Sequence, residues 1–249
     1  MKIDINCDLG EGDDLHSCHK DARIMPFISR CNIACGGHAG SPEIMARSIE
    51  NALLNNLKIG AHPSYPDRDN FGRKSLPISQ MELLDSLFWQ VNQLHEIARK
   101  FDTKLDHIKL HGALYNDAET NRYLAEGIIT LLSREYPLLK IIGLANGAME
   151  AIATEKNRLF YREGFIDRQY LNTGQLVPRS LPDSVLHDID SCLERAVALA
   201  RGSRFTSYHG TPLQFSVDTI CLHGDNPEAV NIAQRLASYL QLHGLSIHS

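Results

Sequence analysis

The sequence predicts an α/β protein on a parallel sheet, closed as a barrel in preference to an open, flavodoxin-like sheet. Three observations carry that reading. Seven strand candidates alternate with segments long enough to hold crossover helices, which parallel pairing requires. The C-terminal ends of most of them carry ionisable residues: Asp8 with Glu11, His38, His62, His111, Asp167 with Arg168, and His223 with Asp225. The first and fourth strands each have a polar face, which favours a barrel with a wet interior over a sheet covered by helices on both sides. A length of 249 residues suits one domain, 1–249.

The first strand alternates, with Ile3, Ile5 and Cys7 on one face and Asp4, Asn6 and Asp8 on the other. An acidic, glycine-punctuated loop follows at 9–14. The stretch 31–42 reads as a buried strand, a turn containing Gly36, Gly37 and Gly40, and a helix start with Ser41 as N-cap and Pro42 at the first position. Met45, Ile49, Ala52 and Leu53 continue that helix, with Glu43 in its first turn. Residues 57–62 form the third strand, ending at His62, and a long loop runs through Phe71, Gly72 and Arg73.

Ser79 and Glu82 form a capping box that opens a helix striped by Leu84, Leu87, Phe88, Val91 and Leu94, with Trp89 nearby read as packing. In the fourth strand His107, Lys109 and His111 share one face, an arrangement that costs several kcal/mol by order of magnitude unless that face lines a polar space. A strand at 138–144, a short helix at 148–157 and a strand end at 164–168 come next. Val185, Leu186, Ile189, Leu193, Val197 and Ala200 mark a long helix that stops before Gly202. Residues 218–225 give the last barrel strand, Asn226 and Pro227 begin the final helix, Gly244 ends it, and Ile247 falls in a short strand or tail.

Composition excludes several classes of partner. A net charge of −5 with no basic run argues against nucleic acid and against a membrane surface. The N-terminus lacks a signal-peptide core and no stretch is long enough to span a bilayer, so a cytoplasmic location is expected. The six cysteines are scattered and lack CxxC pairs, and they are expected as buried small hydrophobes rather than disulfides or zinc ligands. GxxxxGK[ST], GxGxxG after the first strand, and GxSxG are all absent. Any use of ATP therefore rests on other architecture or on another chain.

If strand ends converge on one rim, three imidazoles and a carboxylate meet there, which suggests hydrolytic chemistry. Asp8, His38 and His62 would supply a facial set for a divalent metal with positions left for water. Without a metal, Asp8, Glu11 or Asp167 would orient a histidine base, and Lys109, Arg73 or Arg168 would hold a substrate carboxylate or phosphate.

The segments Asn6-Cys7-Asp8-Leu9-Gly10-Glu11, Asn32-Ile33-Ala34-Cys35-Gly36, His38-Ala39-Gly40, Gly60-Ala61-His62-Pro63-Ser64-Tyr65-Pro66-Asp67, Phe71-Gly72-Arg73, His111-Gly112-Ala113-Leu114-Tyr115-Asn116, Asp167-Arg168, Val177-Pro178-Arg179 and His223-Gly224-Asp225 span nearly the whole chain in order. Together they resemble the LamB/YcsF family, that of the A subunit of bacterial ATP-dependent 5-oxoprolinase. The chain departs from the family pattern at Gly37 (phenylalanine expected), Ser41 (aspartate), Lys74 (arginine), Ile166 (alanine) and Asn226 (threonine).

The resemblance implies a seven-stranded β/α barrel similar to polysaccharide deacetylases. It also implies opening of the 5-oxoproline lactam to L-glutamate at the expense of ATP, together with separate B and C subunits, one of which could hold the nucleotide. On these positions the expected catalytic set is Asp8, Glu11, His62, Lys109 and His111. The expected substrate-binding set is Asn6, His38, Arg73, Tyr115, Asn116, Asp167, Arg168, Arg179, His223 and Asp225. The rival readings are a metal-dependent deacetylase acting on an N-acetyl sugar and a non-catalytic subunit that binds small carboxylates.

Overall fold

The computed structural model describes residues 1–224, apart from the side chain of His223, and residues 228–247. Asp225 and the expected helix start at Asn226 and Pro227 lie outside the described residues. The strands are β1 (Lys2–Leu9), β2 (Arg30–Ala34), β3 (Lys58–His62), β4 (His107–Lys109), β5 (Lys140–Leu144), β6 (Phe160–Phe165), β7 (Phe205–Thr206), β8 (Pro212–Leu213), β9 (Thr219–His223) and β10 (Ser246–Ile247). β1 to β6 pair in sequence order, all parallel, and β9 joins β6 to β1. That closure makes a seven-stranded barrel and rules out the open sheet. β10 adds parallel to β1, confirming a strand at Ile247, and β7 and β8 form a small antiparallel hairpin.

The helices are α1 (Leu15–Ala22), α2 (Pro42–Leu54), α3 (Gln80–Arg99), α4 (Gly112–Thr120), α5 (Arg122–Glu135), α6 (Ala148–Glu155), α7 (Ile189–Arg201) and α8 (Ala229–Leu242). The caps read from the sequence are present: Ser41 accepts from the Ile44 amide, and Ser79 and Glu82 close both halves of their box. α3 buries Leu83, Leu87, Val91 and Leu94 against the sheet, each contributing about 1.5–3 kcal/mol of transfer free energy. All six cysteines are buried and free, as expected.

Several local expectations change. Trp89 is 66% exposed, because α3 turns the preceding Leu87 and following Val91 inward and leaves position 89 on the outer face. α1 occupies part of a region with no apolar stripe; it is held by an Asp14 cap and buries only Cys18. The helix expected from Val185 begins at Ile189, because Asp188 caps it and Val185 pairs with Arg168 in an isolated bridge. Asp167 and Arg168 likewise follow β6 rather than end it.

The polar faces of β1 and β4 do point into the barrel, but its lower half is packed rather than wet. Arg30 donates to Asp4 at 2.8 Å and to Asp106 at 2.6 Å. Thr219 donates to the other Asp4 oxygen at 2.5 Å, and His107 Nε2 stands 2.8 Å from Asn32 Oδ1. Gly60 makes room for this layer, since a Cβ there would fall 2.2 Å from His107 Nε2. Burial lowers the His107 pKa to about 4, so the ring is neutral near pH 7.

Candidate active site

The carboxyl ends of the barrel strands bring the expected groups to one mouth. Asp8 lies near the end of β1, His62 ends β3, Lys109 ends β4, and His111 is the N-cap of α4. His111 is thus a cap residue beyond the strand rather than a third strand position. Gly112, at φ 60°, makes the turn that follows; a Cβ there would meet the Gly72 carbonyl oxygen at 2.5 Å. The loop from β3 folds over this turn, with Ala113 N donating to Gly72 O at 2.9 Å and His111 N to Pro63 O at 2.9 Å.

A cavity of about 480 Å³ opens above. Asp8, Glu11, His62, Lys109 and His111 form its floor, and Arg73, Tyr115, Asn116, Arg168 and Arg179 line its walls. Three guanidinium groups around one carboxylate- and imidazole-rich floor suit a small anionic substrate.

Lys109 is 2% exposed and stands 2.9 Å from both Asp8 Oδ1 and Glu163 Oε1, with Cys221 Sγ at 3.1 Å. Burial alone would lower its pKa, but Asp8 and Glu163 outweigh that and raise it well above the ordinary value, so the ammonium keeps its charge. Asn32 also donates to Asp8 Oδ1, at 2.7 Å. Sequence reasoning misses Glu163, whose only signal is its place on a barrel strand, where it reads as an acid among ordinary strand residues.

Glu11 Oε1 lies 2.9 Å from His38 Nε2, 3.2 Å from His111 Nδ1 and 3.7 Å from His62 Nε2. Burial raises the Glu11 pKa, but the bonds to His111 and His38 prevail and hold it well below the usual carboxylate range. Burial lowers His38 to about 4. His38 stacks on His111 with ring centroids 3.6 Å apart and planes within 4°, while His62 meets His111 edge-on at 84°. Phe71 touches both His38 and His111 edge-on, another contact unseen in the sequence.

Other expected residues sit elsewhere. Asn6 is buried in the layer below, donating to Thr219 Oγ1 and accepting from Asn32 and Lys109, so it supports the floor without reaching the cavity. His38 lies behind Glu11 and does not line the cavity. Asp167 lines a separate cavity of about 160 Å³ beside α7. The metal set Asp8, His38 and His62 is also regrouped: the four residues whose ligand atoms all fall within 4.8 Å of one another are Glu11, His38, His62 and His111. Asp8 is drawn aside by Lys109 and Asn32, leaving Oδ2 3.4 Å from His62 Nε2. The side chain of His223, like Asp225, is outside the described residues.

The family model of LamB/YcsF matches residues 3–249. The chain belongs to the LamB/YcsF family. Relatives in this family include a protein named as the A subunit of 5-oxoprolinase from Syntrophobacter fumaroxidans, 38% identical over 99% of this chain and 98% of that protein. Another, from Pseudomonas aeruginosa, is named as the third A subunit of 5-oxoprolinase and is 38% identical over 96% of each chain. Among solved structures, a lactam utilization protein from Thermus thermophilus is similar over 100% of this chain and 99% of that one, with a TM-score of 0.92 and 31% identity. Among the described residues no helix is long and apolar enough to cross a membrane.

Proposed function

We propose that this chain is the A subunit of an ATP-dependent 5-oxoprolinase, opening 5-oxo-L-proline to L-glutamate together with B and C subunits. The observation that carries the reading is the full-length likeness to relatives of that name, joined to a cavity whose arginine walls and Glu–His–Lys floor suit a small carboxylated amide. A five-membered lactam is a stabilised amide. Transfer of the ATP γ-phosphoryl group to its oxygen makes the carbon electrophilic; water adds there and the ring C–N bond breaks as nitrogen takes a proton. A second water then releases phosphate from the glutamyl phosphate.

In this scheme Arg73, Arg168 and Arg179 hold the substrate carboxylate. The His62–His111 pair, with Glu11 beside it, activates the attacking water. Lys109 donates to Asp8 at 2.9 Å and fixes it beside that pair. The chain has no phosphate-binding glycine loop, so ATP is assigned to the assembled complex.

The test is formation of glutamate and phosphate from 5-oxoproline and ATP, measured with this chain alone and with B and C subunits from neighbouring genes. Turnover that requires this chain and falls in the His62→Gln and His111→Gln variants is the expected result. Turnover that needs the chain but survives both substitutions would favour a non-catalytic carboxylate-binding subunit.

A further inference from the structure

We propose, resting on the reading of this cavity as the reactive centre, that Glu11, His62 and His111 form a three-ligand site for one first-row divalent cation of the zinc type. Two histidine tautomers, assigned from their hydrogen-bond partners, point to it. His62 Nδ1 is 2.8 Å from Lys109 O and His111 Nε2 is 3.0 Å from Phe71 O. Each main-chain carbonyl can only accept, so those nitrogens carry protons, and in the neutral rings the opposite nitrogens keep their lone pairs. Those two, His62 Nε2 and His111 Nδ1, face each other at 3.0 Å, with Glu11 Oε1 3.2 Å from the second. With both rings neutral three acceptors meet there, and a proton on one ring or a metal ion between the three offsets their repulsion; the spacing favours the metal.

The spacing fits a metal. Ligands at about 2.0–2.1 Å from a tetrahedral zinc stand about 3.3 Å apart. The three separations here are 3.0, 3.2 and 3.7 Å. Main-chain carbonyls that fix the ring tautomers are the partners that metal-bound histidines keep. All three residues line the cavity, so the remaining coordination positions face the space a substrate would fill.

His38 is a positioning residue and not a fourth ligand. Its ring is stacked on His111, so an ion in the plane of one ring lies a full stacking distance out of the plane of the other. His38 Nδ1 is buried without a hydrogen-bond partner, which places the ring proton on Nε2, where it is donated to Glu11. The donor set, two imidazoles and a carboxylate, suits zinc, cobalt or manganese better than magnesium, which favours oxygen alone.

Zinc binding to the full chain, stripped by chelator and titrated in a calorimeter, tests the site without turnover. One equivalent is expected. Glu11→Gln, His62→Gln and His111→Gln should each weaken it by roughly 100-fold or more, whereas His38→Gln should keep the stoichiometry and lose about 10–100-fold, as outer partners do. Replacing the surface residues His16 and His19 with glutamine should leave affinity unchanged. A ligand variant that unfolds would lose the metal trivially, so the second readout is wild-type protein loaded with Co²⁺, whose visible bands should report four- or five-coordinate nitrogen and oxygen ligation. Absence of a saturable equivalent, a hexa-aqua cobalt spectrum, binding that survives loss of all three ligands, or equal loss in His38→Gln would overturn the proposal. Failure to bind zinc would leave 5-oxoproline turnover standing, and failed turnover by the complex would leave the metal site standing.

Discussion

Two buried layers of charge share the barrel interior, and the upper one opens onto the 480 Å³ cavity. In the lower layer Arg30 is held between Asp4 and Asp106, and His107 between Asn32 and Arg30. Its side chains point at partners that complement them and do not line the 480 Å³ cavity. In the upper layer His62 Nε2, His111 Nδ1 and Glu11 Oε1 lie 3.0, 3.2 and 3.7 Å from one another, and all three residues line the open cavity. Burial and charge are common to both; what differs is that the upper layer's groups line an open cavity. A buried ionic cluster therefore marks a site only when its groups are left facing something the chain does not supply.

That contrast can be broken most forcefully from below. Arg30→Ala leaves the buried Asp4 carboxylate without its ion-pair partner, while Asp106 keeps Lys140, and about 3–5 kcal/mol of unfolding free energy should be lost in urea denaturation. A loss under about 1 kcal/mol would mean that the lower layer is not the structural one. From above, Glu11→Gln should cut turnover of the assembled enzyme by about 100-fold or more while its denaturation midpoint moves far less than that of Arg30→Ala. If the stability change is the larger effect, the two layers have the same role.

A smaller effect concerns pH. The His107 pKa is lowered from 6.5 to about 4 by burial, so the folded state binds fewer protons than the unfolded chain between those values. Its contribution to stability is fully present above about pH 6.5 and is lost as pH falls toward 4. Denaturation midpoints should fall across that window, and His107→Asn should flatten the decline only in part, because burial lowers His38 to about 4 as well. An unchanged slope in the variant would place the titration elsewhere. The least effect is expected outside both layers, where Trp89→Ser on the exposed face of α3 should stay within about 0.5 kcal/mol of the wild-type stability.

Much of this was legible in the chain. Periodicity gave the alternating strands and helices, because the inward and outward faces of each element are written at fixed spacing. Ser79 with Glu82, Ser41 with Pro42, and Gly202 at φ 60° mark helix ends by local chemistry that needs no distant partner. The strand-end residues Asp8, His62 and Lys109 were legible for the same reason, since a parallel sheet sends all its carboxyl ends to one side.

What local spacing left open is which of those groups face the cavity and which face one another. His38 and Asp167 both lie just beyond strands, β2 and β6, yet one stacks behind His111 and the other turns toward α7. Glu163 reads as an ordinary strand residue until closure between β6, β9 and β1 sets it against Lys109. Sequence determined the elements and the end of the barrel where chemistry gathers, because periodicity and capping are short-range. Tertiary structure alone decided the pairing of charges and the direction of the ring nitrogens, because both depend on side chains distant in sequence and on main-chain carbonyls that no residue type encodes.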